Sequence, residues 1–149
     1  MIFILKAVIQ RVNKCSVLVE KRVVGSIDKG ILVLLGVFSN DTENDVDYMV
    51  NKISNLRIFN SDDAERSLLD CNLAVLVVSQ FTLCADISKG RRPSFHRSAS
   101  PKLAKHLYMK LIEQLKNCKI KTEAGEFGAM MNLKIENWGP YTLVLDSKE

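Results

Sequence analysis

GILVLLGVF, residues 30–38, contains no charged or polar side chain. A strand with one face in water alternates apolar and polar residues, and this run does not alternate. It is also far shorter than the roughly 20 residues needed to cross a bilayer as a helix. It therefore reads as a strand buried on both faces, and the rest of the chain must supply two covers. Upstream, residues 5–12, 15–20 and 23–27 have the β-branched and aliphatic content of short strands. Downstream, Asp41-Thr42 offers a cap to a helix with Val46, Met49, Val50, Ile53 and Leu56 on one face. Residues 60–66 read as a polar loop, 73–78 as a second buried strand and 90–97 as a loop. Ser100 with Pro101 opens a second helix, striped by Leu103, Leu107, Leu111 and Leu115. Strands at 119–121, 130–136 and 141–146 complete the series.

These elements predict one α+β domain spanning residues 1–149, a mostly antiparallel sheet or open barrel with two main helices. Hydrophobic residues make up 47% and charged residues 26%, a globular balance rather than a disordered one. Residues 1–6 lack the basic region, apolar stretch and cleavage site of a secretory signal, so a cytoplasmic protein without membrane association is expected. Cys15, Cys71, Cys84 and Cys118 are too dispersed for a zinc-like set, and only two histidines are present. Reduced, mostly buried thiols are expected, with no metal and no cofactor.

The net charge of +4 is unevenly spread. Lys89, Arg91, Arg92 and Arg97 lead into a segment where Lys102, Lys105, Lys110, Lys116, Lys119 and Lys121 face a single acid, Glu113. Acids gather instead at 41–47 and 62–70. A one-sided basic surface suits a phosphate-bearing partner, although a solvated helix face explains the same count.

Two stretches break their own pattern. In Val77-Val78-Ser79-Gln80-Phe81-Thr82-Leu83 an apolar strand runs into polar residues with no turn residue between. Continued as a strand, it would point Ser79 and Phe81 one way and Gln80 and Thr82 the other. Such polar groups must bond neighbouring backbone or line a cleft. A Ser or Thr nucleophile needs a positioned base. His106 shares its helix face with Lys102 and Lys110 and reads as solvated, and His96 lies in a basic loop, so a triad is poorly supported. The second stretch is ENWGPYTLVLD, residues 136–146, where Gly139-Pro140 interrupts a strand-like sequence. Proline lacks the N–H of a sheet ladder, so this is either a plain turn before the strand or a backbone held in a special shape.

Together the two stretches strongly resemble the D-aminoacyl-tRNA deacylases, through VSQFTL at 78–83 and Asn137-x-Gly139-Pro140-x-Thr142. AVIQRV at 7–12, GILVLLGV at 30–37, RIF at 57–59, RPSF at 92–95 and GEFGA at 125–129 match the same family in the same order, across almost the whole chain. The resemblance implies a cis Gly139-Pro140 peptide, inserted from one subunit into the active site of the other, hence a homodimer with sites at the subunit interface. The loop's carbonyls would bind the substrate ammonium and exclude L side chains, with Asn137 and Thr142 in the same motif and Arg11 supporting it. Backbone N–H groups at Gln80 and Phe81 would form an oxyanion hole, with Ser79 and Thr82 lining the site. The implied activity is hydrolysis of D-aminoacyl-tRNA, and of mischarged glycyl-tRNA, without a cofactor. Lys89, Arg91, Arg92, Arg97 and Lys102 are then candidates for the tRNA acceptor end.

Trp138 and Tyr141 depart from the family's smaller residues at these positions. Tyrosine after Gly-Pro resembles a sister branch that acts on L-alanyl-tRNA through a trans Gly-Pro, although Ser79 matches the D-selective branch. Two further readings remain: a non-catalytic RNA-binding domain, and a Ser/Thr hydrolase of small esters. The former lacks interleaved aromatics and the latter lacks a histidine partner.

Overall fold

One long hairpin organises the sheet of this computed structural model, which describes residues 3–61 and 63–148. Strand β1 (Lys6–Val19) turns through Glu20 and Lys21, both at positive φ as a tight two-residue hairpin requires. It returns as β2 (Arg22–Ile27) and then β3 (Gly30–Gly36), which pair in succession along one edge of β1. A one-residue shift between Val17 and Leu18 marks a bulge near the turn. Beyond β3 lie β6 (Ala74–Ser79) and β7 (Lys121–Ala124), both parallel additions. The other edge of β1 is covered by β8 (Asn132–Asp146). The sheet curls until β2 meets β7: a Cβ on Gly25 would stand 2.5 Å from the Ala124 carbonyl oxygen. Only glycine permits that approach, which makes the sheet an almost closed barrel.

The run at 30–38 is covered on both sides, as its composition predicts. Ile31, Val33 and Leu35 face α1 (Glu43–Asn55) and α3 (Pro101–Asn117), packing with Met49, Ile53, Leu107 and Leu111. Leu32 faces the interior of the curl with Val12, Val17, Leu76 and Val78. Each such side chain contributes about 1.5–3 kcal/mol by leaving water. Leu32→Ala would cost about 2–5 kcal/mol, because both walls of its pocket are held by strands. Both main helices start where the caps predict. Thr42 and Asp45 form a reciprocal capping box, and the Ser100 hydroxyl accepts from the Leu103 N–H.

Several expectations need correction. The predicted strands at 5–12 and 15–20 are one strand, with a register shift between Val12 and Lys14 that absorbs the polar residues there. The predicted loop at 60–66 is a small hairpin of β4 (Phe59–Ser61) and β5 (Ala64–Arg66); Asp62, at its tip, lies outside the described residues. A short helix α2 (Leu68–Cys71) follows, capped by Ser67 and Asp70. The strand expected at 119–121 begins only at Lys121, because Lys119 sits in a left-handed turn. The strands expected at 130–136 and 141–146 are one strand, β8, running through Gly139-Pro140. Among the thiols only Cys15 and Cys84 are buried, and burial pushes both up to about 11; Cys118 is exposed. The reading of residues 1–6 as no secretory signal rests partly on Met1 and Ile2, outside the described residues. No described helix is long and apolar enough to cross a membrane.

Candidate active site

At the end of β6 the chain leaves the sheet and opens a cleft of about 610 Å³. The strand stops at Ser79, and residues Phe81–Cys84 form a single 3-10 turn, so the alternation expected through Thr82 is broken. Ser79, Gln80 and Phe81 form one wall of the cleft, and Phe127, Gly128 and Met130 the facing one. Pro101 and Ala104, in the first turn of α3, form its rim. The walls are largely apolar, with Phe81 57% and Met130 90% exposed. Phe95, from the Arg92-Pro93-Ser94-Phe95 segment, packs on Phe81 with ring centroids 5.1 Å apart.

The polar groups at this strand end are unequally free. The Gln80 N–H donates to the Leu35 carbonyl at 2.7 Å, so it is spent on the sheet and cannot serve an oxyanion hole. The N–H groups of Phe81 and Thr82, at the open start of the turn, make no hydrogen bond among the described residues. The Gln80 side-chain amide donates to the Thr82 hydroxyl. The Thr82 side chain thus fixes Gln80, while the Thr82 N–H stays free beside the cleft wall. The facing wall is anchored from beneath by Tyr108 of α3. Its buried hydroxyl lies 3.2 Å from the carbonyls of both Val77 and Gly125, and its ring packs on Phe127 at 5.7 Å.

Gly139-Pro140 occupies a different place. Between the pairs Gln10↔Thr142 and Val12↔Asn137, β1 contributes only Arg11 while β8 contributes residues 138–141. The surplus forms an outward bulge whose exposed tip is Gly139-Pro140, with a cis peptide and Gly139 at φ 138°. Its base is closed by Asn137, which accepts from the Tyr141 N–H at 2.7 Å and donates to the Thr142 hydroxyl at 3.0 Å. Arg11 fills the space beneath. Its Nε donates to the Trp138 carbonyl at 3.0 Å and Nη1 to the Ile58 carbonyl at 2.6 Å. Its guanidinium stands 4.5 Å from the Trp138 ring and 4.6 Å from that of Tyr141. The two departures from the family pattern are thus both cation–π partners of Arg11.

The structure does not bring the two motifs together within one chain. Ser79 aligns with Leu35 and Ala7, whereas the bulge sits opposite Arg11, four residues along and three strands across. By strand geometry these offsets are roughly 13 Å and 14 Å. None of residues 137–142 lines the cleft.

The other candidates separate by exposure. Lys89, Arg91, Arg92 and Lys102 are exposed. Arg97 is turned inward instead: it stacks 3.9 Å over the Phe3 ring and donates to the Ala85 carbonyl. His96 hydrogen-bonds Ser94 at 2.9 Å, and His106 is not merely solvated but lies 3.7 Å from Glu43 of α1. No three His, Cys, Asp or Glu side chains converge as a metal-holding group among the described residues. Sequence reasoning missed Tyr108, which stands beside Leu107 of the leucine stripe. It also missed the part of Met130 in the cleft, whose only signal was its place next to GEFGA.

Known proteins resemble this chain over nearly its whole length. The chain is 52% identical over 147 residues to the D-aminoacyl-tRNA deacylase of Aquifex aeolicus (strain VF5), covering 97% of this chain and 99% of that one. It is 53% identical over 148 residues to the D-aminoacyl-tRNA deacylase of Thermosipho melanesiensis, with the same coverage. A solved structure described as c-Myc DNA unwinding element binding protein superposes with a TM-score of 0.89 at 38% identity, covering 97% of this chain and 99% of its own. The family profile described as D-Tyr-tRNA(Tyr) deacylase matches residues 8–146, and the chain belongs to that family. It is a hydrolase of the deacylase kind.

Proposed function

We propose that this protein hydrolyses the ester of D-aminoacyl-tRNA, and of mischarged glycyl-tRNA, releasing the free amino acid and tRNA. We place it in the cytoplasm, as a homodimer whose active sites lie between the subunits. The observation that carries this reading is the separation of the two motifs: a cleft without a selector on one part of the sheet, and an exposed, braced Gly139-Pro140 loop on another. A second copy of the chain can supply what each cleft lacks. The 3′-terminal nucleoside of the tRNA would sit against the apolar walls, with its ester carbonyl near the Phe81 and Thr82 N–H groups. Water adds to the carbonyl carbon, and those N–H groups stabilise the developing oxyanion. The ribose oxygen departs with a proton, assisted by the neighbouring ribose hydroxyl, which leaves no proton transfer for a protein side chain. The partner's loop carbonyls would receive the ammonium group and crowd the space of an L side chain, so selection works by exclusion.

Complementation between two inactive variants tests the shared site. Ala129→Trp fills the cleft, and Gly139→Ala places a Cβ 3.0 Å from the Tyr141 nitrogen at a φ that alanine rarely adopts. Each homodimer should be inactive. After subunit exchange, half the dimers are mixed and each has one intact site, so about one quarter of wild-type activity should return. No recovery despite demonstrated exchange would place cleft and loop in the same chain.

A further inference from the structure

Two classes of basic side chain share helix α3. Lys110 and His106 turn toward Glu43 of α1, at 3.9 and 3.7 Å. Lys102, Lys105 and Lys116 are exposed and lie within 4 Å of no carboxylate among the described residues. Steps of three, four and seven residues put Lys102, Lys105, Met109 and Lys116 on one ridge. That ridge is exposed and borders the buried face made by Leu107, Tyr108, Leu111, Ile112 and Leu115. It extends roughly 21 Å at 1.5 Å per residue. Lys119 and Lys121, both exposed, follow just past its end, and the one acid of the segment is Glu113.

The position of the ridge gives it direction. Pro101 and Ala104 line the cleft, and Lys102 and Lys105 each follow one of them directly along α3. A nucleic acid whose 3′ end occupies the cleft must leave over a rim, and here the rim continues into an unpaired basic track. Other surfaces are less suited, because the acidic run at 41–47 forms the start of α1 and the inward Arg97 weakens the loop at 89–97 as a rival.

We propose that the outer ridge of α3, from Lys102 through Lys105 to Lys116, carries the backbone phosphates of the RNA acceptor stem away from the cleft. This rests on the reading of the cleft as the site of a tRNA 3′ end, and assigns the stem a path that the family membership leaves open. Lysines on a solvated ridge supply point charges without base readout, so the contact is sequence-independent and sensitive to salt.

Equilibrium binding of an uncharged acceptor-stem minihelix, titrated with salt, tests this without ester cleavage. Lys102→Gln/Lys105→Gln/Lys116→Gln keeps helix propensity and removes three charges; matching thermal unfolding curves establish that it folds. Affinity should fall about 10-fold or more near physiological salt. The slope of log K against log salt should shrink by about 2 to 3. A variant with wild-type affinity and slope would overturn the proposal, all the more if Lys89→Gln/Arg91→Gln/Arg92→Gln lost binding instead. If the wild-type protein bound the minihelix through this ridge yet cleaved no D-aminoacyl ester, the hydrolytic reading would fail and the path of the stem would stand.

Discussion

Arg11 shows how one side chain can hold a backbone shape. It spends two N–H groups on the Trp138 and Ile58 carbonyls and stands against two aromatic rings. Lysine cannot repeat this, since it has neither the planar fork nor the stacking surface. Arg11→Lys should therefore lower stability by about 1–3 kcal/mol. It should also narrow the ratio of D- to L-tyrosyl-tRNA cleavage, measured as kcat/KM for each. An unchanged ratio would mean that the loop holds its shape without Arg11. The side chains at the cleft predict the opposite kind of result. Thr82 braces Gln80 and His96 is bonded to Ser94, and neither is placed to move a proton. Thr82→Ala and His96→Ala should each retain measurable deacylation, with losses well under 10⁴-fold; a larger loss in a folded variant would indicate side-chain catalysis.

Between elements, Asp41 joins the start of β1 to the end of β3. Its carboxylate accepts from the Leu5 N–H at 2.8 Å and the Phe38 N–H at 2.6 Å, and the residue is only 5% exposed. Burial raises its carboxyl from 3.8 to about 6, against the lowering effect of those two bonds; nearby Asp45 raises it further and Lys148 opposes. The folded protein thus holds this proton more tightly than the unfolded chain does. The contribution to stability is full below about pH 4 and is lost as pH rises through 6. Urea unfolding of wild type and Asp41→Asn at pH 4, 5, 6 and 7 isolates it. Stability relative to the variant should decline by up to about 2–3 kcal/mol across that range. A difference that does not change with pH contradicts the assignment.

The elements also show where sequence is informative. The unalternating run at 30–38 and the caps at Thr42 and Ser100 are local signals with one physical solution, and they located β3 and both main helices. Three-residue strands at 59–61 and 64–66 carry too short a period to read. Gly139-Pro140 reads as a break between strands because local chemistry cannot reveal that Arg11, 127 residues before Trp138, fills the bulge and lets the ladder resume. The motif residues of the candidate site were legible through resemblance. Which N–H groups remain free was not, since the Gln80 N–H is taken by Leu35 on another strand.

At the scale of the whole molecule, the separation of cleft and loop makes assembly part of the proposed chemistry. Light scattering should give twice the mass of one chain at concentrations where the protein is active, and specific activity should fall on dilution into the monomer range. A fully active monomer would contradict this. The proposed activity is chiral: removal of D-amino acids from tRNA with L-amino acids spared. One tRNA preparation charged separately with D- and L-tyrosine, incubated with the unmodified protein while ester loss is followed, tests it most directly. The D ester should be lost rapidly and the L ester no faster than in buffer. Equal cleavage of both esters, or neither, would contradict it.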